Sequence, residues 1–95
     1  MNNVRIISEQ EFYEISYDVP ISRQGDLDLY IEDCLGASKR AILWDCKEER
    51  TGNRIRGTVE LYFDEYHVFD KEYVQEVSEC MELLSKGKKL FYSIN

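Results

Sequence analysis

The chain reads as an α+β domain, and three observations predict it. Residues 11–19 and 54–63 alternate apolar and polar side chains with period two. Residues 27–35 and 73–84 instead place apolar side chains at helical spacing. Between the strand-like runs 40–49 and 54–63 lies Gly52-Asn53, a pair that tolerates the positive φ of a tight hairpin turn.

The first strong strand covers 11–19, EFYEISYDV, with Tyr13, Ile15, Tyr17 and Val19 on one side and Phe12, Glu14, Ser16 and Asp18 on the other. Pro20 ends it, and VRII at 4–7 is a shorter strand before it. A helix follows, with Leu27, Tyr30, Ile31, Cys34 and Leu35 as its apolar stripe. Asp26 is the expected N-cap, Asp28 suits the first turn, and Gly36 suits a left-handed C-terminal position. Asp33 is electrostatically misplaced near the negative end of this helix.

In the hairpin, Ile42, Trp44 and Cys46 share one side of the first strand, and Ile55, Val59, Leu61 and Phe63 one side of the second. A turn at Gly52-Asn53 pairs Trp44 with Leu61; one at Thr51-Gly52 pairs it with Val59. Asp70 then caps a second helix, with Phe69 placed as a hydrophobic staple. The stripe is Tyr73, Val74, Val77, Cys80, Met81 and Leu84, closed by Lys86-Gly87. Alternation of Leu90, Tyr92 and Ile94 predicts a last strand over 88–94.

That order is the ferredoxin-like βαββαβ pattern, a four-stranded antiparallel sheet with two helices on one face, with the N-terminal strand as an extra edge element. The 95 residues make one acidic domain, 1–95, close to the smallest size that folds on a single apolar core. No stretch is long and apolar enough to cross a bilayer, and the N-terminus lacks a signal peptide's pattern. A cytoplasmic location is expected, the host's cytoplasm if the chain is phage-encoded. Cys34, Cys46 and Cys80 are odd in number and widely spaced, with no CxxC pair. They read as buried free thiols.

The net charge of −7 argues against nucleic acid or an anionic membrane as direct partner. Its layout is uneven. Residues 24–38 hold four acids and no base, 60–85 hold eight acids against Lys71, and 39–56 are basic on balance.

The segment LYFDEYHVFDKEY at 61–73 holds the only histidine, His67, close to Asp64, Glu65 and Asp70. A zinc site needs three or four converging ligands, and a calcium loop needs a spaced glycine; neither pattern is present. A strand running into a capped helix explains the segment instead. No nucleophile, phosphate-loop or zinc-protease motif occurs, so no catalytic residue, metal or cofactor is assigned, and a non-enzymatic role is expected. The RNA-recognition module shares this topology and shows stacking rings after a basic residue and glycine. Here Thr58 and Glu60 follow Arg56-Gly57, which argues against RNA binding.

With both helices on one side of the sheet, Asp28, Glu32 and Asp33 of the first and Glu72, Glu76, Glu79 and Glu82 of the second form one acidic face. Such a face serves solubility. It also suits a basic protein partner that processes nucleic acid, the chain acting as a nucleic-acid mimic or immunity-type inhibitor, with Tyr66 as an apolar anchor. Size and the lack of chemistry fit a phage or mobile-element inhibitor. The alternative is a homodimer or complex subunit joined through the open sheet face or an edge strand. It would use Phe12, Leu43, Tyr62 and Phe91, with Arg54, Arg56, Glu14 and Glu60 as cross-face pairs.

Overall fold

In the computed structural model, the backbone of residues 2–7 and 10–91 and the side chains of residues 12–91 are described. The elements are β1 (Asn2–Ile7), β2 (Gln10–Pro20), α1 (Gln24–Leu29), β3 (Ile42–Thr51), β4 (Arg54–Phe63) and α2 (Lys71–Ser85). A single 3₁₀ turn, Ile21–Arg23, leads into α1, and α1 continues as a widened π-helical stretch, Tyr30–Leu35.

Strands β2, β4 and β3 form an antiparallel three-stranded core, and β1 pairs with the outer edge of β2 through its backbone, giving the order β1-β2-β4-β3. This α+β arrangement is compatible with a ferredoxin-like fold. The closing strand expected over 88–94 is not formed at 88–91, and residues 92–95 lie outside the described residues. The edge position beside β2 is taken by β1, which reaches only as far as Ile15. Beyond it the carbonyl of Asp18 accepts Arg54 Nη2 at 2.7 Å, which blunts the remaining edge.

One side of the sheet carries the core. Ile15, Tyr17 and Val19 of β2 and Ile55, Val59, Leu61 and Phe63 of β4 are buried, and the pairings Ile15↔Val59 and Val19↔Ile55 put them on the same face. Leu27, Tyr30 and Leu35 join that cluster from the first helix, and Tyr73, Val74, Val77, Met81 and Leu84 from the second. Both helices therefore cover the same face, as the stripes require.

Local signals acted as expected at several points. Gly52 (φ 61°) forms the two-residue turn with Asn53, so that Thr51 pairs with Arg54. Gly87 takes φ 81° after α2. Asp70 caps α2, its Oδ1 accepting the Tyr73 amide at 3.0 Å. The first helix departs from expectation. Arg23 stands at its N-cap without a side-chain cap bond, while Asp26 Oδ2 accepts the Leu90 amide at 2.9 Å. Gly36 is right-handed, φ −66°. It is held there by its amide bond to Ile31 O (2.8 Å), and a Cβ would stand 2.8 Å from Glu32 O. Phe69 stacks on Tyr13, ring centroids 5.0 Å apart, and packs edge-on to Phe63.

The largest correction is in β3. A bulge between Leu43 and Asp45 inserts Trp44 as an extra residue, so Leu43 pairs with Leu61 and Ile42 with Tyr62. Below it the register is that of the Gly52-Asn53 turn, with Cys46 opposite Val59. Leu43 consequently packs on the core, and Trp44 turns to the open face. Cys46 is an exposed residue rather than a buried one, and Cys34 and Cys80 are half-buried.

Gly57 has a structural use. It lies between Tyr17 and Glu48 in the sheet, where the Tyr17 ring covers it and the hydroxyl donates to Glu48 Oε1 at 2.8 Å. A Cβ here would collide with the Lys47 carbonyl oxygen and stand 2.5 Å from the Tyr17 hydroxyl. Gly57→Ala should destabilise the fold by about 2 kcal/mol. Chemical denaturation checks this, and an unchanged midpoint would show that the sheet relaxes around the methyl group.

Candidate protein-binding site

The acidic side chains are positioned by helical periodicity. In α2 the buried positions 73, 74, 77, 81 and 84 leave Glu72, Glu76, Glu79 and Glu82 exposed on the far side. Asp28, Glu32 and Asp33 are likewise exposed on the first helix. The two helices meet at a seam in which burial and contact with the Cys80 side chain push the Tyr30 phenol well above its ordinary range. Burial is also the main reason the Cys34 thiol and Tyr73 phenol are raised.

A base from outside the two helices enters this acidic layer. Arg40, from the connection before β3, lies 4.6 Å over the Tyr73 ring and reaches Asp70 Oδ2 at 3.0 Å and Glu76 Oε1 at 3.6 Å. It holds the Asp70 carboxyl below the usual carboxylate range, assisted by the Tyr73 amide. Lys86 meets Glu82 at 3.7 Å, one turn along α2. Asp28, Glu32, Asp33, Glu72 and Glu79 have no ion pair among the described residues.

Residues 64–70 join β4 to α2 and place Tyr66 at the surface. Asp64 Oδ1 accepts the amides of Tyr66 (2.9 Å) and His67 (2.8 Å) and lies 3.0 Å from His67 Nδ1. These bonds, the His67 side-chain contact first, lower the Asp64 carboxyl. The histidine thus fastens a turn. No group of three or more His, Cys, Asp or Glu converges among the described residues to hold a metal. Tyr66 and Val68 stand out from this turn, 82% and 75% exposed, directly before the acidic start of α2.

The open sheet face differs from expectation. Phe12 and Tyr62 lie there, centroids 4.6 Å apart, and Trp44 completes the cluster at 5.4 Å from Phe12 and 5.0 Å from Tyr62. Trp44 is 57% exposed, whereas Tyr62 is nearly buried beneath its neighbours. Of the four apolar residues expected here, Leu43 and Phe91 pack against the core instead. Arg54 and Arg56 both bind Asp18, at 2.8 and 3.1 Å, and hold its carboxyl low. Trp44 was missed because alternation assigns it inward, and one extra residue reverses that assignment.

A groove of about 470 Å³ opens between β2 and α2, lined by Ile15, Tyr17, Asp18, Met81, Glu82 and Ser85 among others. Its two acids already hold Arg54 and Arg56 or Lys86. From β3, beyond β4, the Cys46 sulfur lies 3.8 Å from the Tyr17 hydroxyl. Desolvation keeps both the thiol and the phenol protonated over a wider range than usual.

No helix among the described residues is long and apolar enough to cross a membrane. Comparison with family models, curated proteins and solved structures gives no match.

The carboxyl groups of Asp18, Asp64 and Asp70 are lowered in the folded state. Their contribution to stability is therefore complete above the ordinary aspartate value and is lost as pH falls through the lowered folded values. Thermal midpoints measured downward from neutral pH should decline only in the acid range, and Asp70→Asn should flatten that decline. A wild-type midpoint independent of acid pH would contradict the assignment.

Proposed function

We propose that this chain is a non-catalytic protein-binding domain whose acidic helical face occludes a basic partner that processes nucleic acid, in the manner of a nucleic-acid mimic or immunity-type inhibitor. The supporting observation is the placement of seven exposed carboxylates on two helices that cover the same sheet face, with five of them lacking an ion pair to any described base. Fixed charges of one sign steer an oppositely charged surface at long range and raise association rates by tenfold or more, on the order of magnitude seen for steered complexes. Tyr66 and Val68 supply apolar contact beside the charge, where residence time is set.

The test reverses Glu32, Glu72 and Glu79 to lysine and leaves Glu76, which holds Arg40, in place. Wild-type protein, used as bait at low salt, should retain a basic protein whose action on nucleic acid it blocks, and raised salt should release it. The triple variant should unfold at a similar temperature, fail to retain that protein and fail to block it. Retention indifferent to both charge reversal and salt would sink the proposal.

A second reading is self-association through the open sheet face, and exposed Trp44 beside Phe12 and Tyr62 favours it. On this reading, sedimentation should show dimers at high protein concentration, and Trp44→Ser should return them to monomers. A wild-type protein that stays monomeric at millimolar concentration removes this alternative.

A further inference from the structure

We propose that Leu29 and Leu83, on the outer side of the helical layer, form the apolar seat for an amphipathic cationic segment of a protein partner; this rests on the acidic-face reading and specifies what that face grips.

Both leucines are exposed in helices whose other aliphatic positions mostly face the core, 47% for Leu29 and 43% for Leu83. Single exposed leucines are ordinary. These two are related by the geometry of the helix pair. Tyr30 lies against Cys80, Asp26 binds the Leu90 amide, and Arg40 reaches Glu76, so the paired numbers fall on one chain segment as they rise on the other. The helices run antiparallel. Leu29 is one residue before Tyr30, and Leu83 is three after Cys80. At about 1.5 Å per residue both displacements run the same way along the pair, leaving the leucines within about 3 Å of one level.

Charge surrounds the pair. Asp28, Glu32 and Asp33 flank Leu29 on its helix, and Glu79 and Glu82 flank Leu83. Of these five, Glu82 alone has an ion pair among the described residues. Lys86, paired to Glu82, and Lys88, whose amide bonds the Leu83 carbonyl at 3.0 Å, stand at the C-terminal end of α2, so the carboxylate rim lies toward Glu79 and the first helix. An apolar centre with such a rim complements a segment that presents leucine-like side chains on one side and lysine or arginine around them. A uniformly charged strand, nucleic acid included, offers no such centre.

The probes are two short synthetic peptides of equal positive charge and helical design, one with leucines along one face and the other with serines in their place. Wild-type protein should bind the leucine peptide about tenfold or more tightly than the serine peptide, the gain expected from covering two half-exposed leucines. Leu29→Ser/Leu83→Ser should close that gap while retaining the salt dependence and the thermal midpoint. A gap that persists in the double variant, whether or not Trp44→Ser abolishes it, overturns the inference by placing the apolar contact elsewhere. Equal, salt-sensitive binding of both peptides to wild type overturns it too and leaves the acidic-face proposal standing. Binding of neither peptide at low salt overturns both.

Discussion

The buried apolar side chains of the described residues gather on one face of the sheet, and that placement orders much else in the molecule. The buried residues of β2 and β4 share a face, and both helices are drawn onto it. Once they lie there, their polar sides must point the same way. The acidic layer is a consequence of the core, because the carboxylates occupy the positions that the apolar stripes leave over. Among the described residues the opposite sheet face has no covering layer and carries a small aromatic cluster.

Concentrated charge costs stability, and the structure shows where that cost is relieved. Like charges one helical turn apart oppose helix formation by a few tenths of a kcal/mol per pair. Arg40 offsets part of this by binding both the N-cap of α2 and Glu76 while stacking on Tyr73. One side chain thus ties the connection before β3 to the start of α2. Among the described residues Glu82 pairs with Lys86, and Asp28, Glu32, Asp33, Glu72 and Glu79 have no ion pair.

The candidate surfaces were legible in unequal degree. Glu72, Glu76, Glu79 and Glu82 could be placed outward from spacing alone, since α2 is long, periodic and capped by Asp70. Tyr66 was placed correctly for the same local reason, as part of a turn. Trp44, Leu43 and Phe91 were not. Whether a strand keeps strict alternation depends on its partner's register, and a bulge changes the facing of every residue on one side of it. Glycine was ambiguous as well: Gly57 follows an arginine in a pattern suggestive of a nucleic-acid module, but its space is filled by the ring of Tyr17, a residue 40 positions away in the chain.

By itself the sequence determined the α+β character, the two amphipathic helices, the hairpin turn, the cap at Asp70 and the outward direction of the helical acids. Each follows from side chains within a few residues of one another, where steric and hydrogen-bonding preferences act directly. The tertiary structure decided the strand that flanks β2, the facing of Trp44, the diversion of Asp26 to the Leu90 amide and the entry of Arg40 into the acidic layer. These choices are made between groups distant in sequence, where alternatives differ by amounts comparable to one hydrogen bond or one buried side chain, and only the assembled core selects among them.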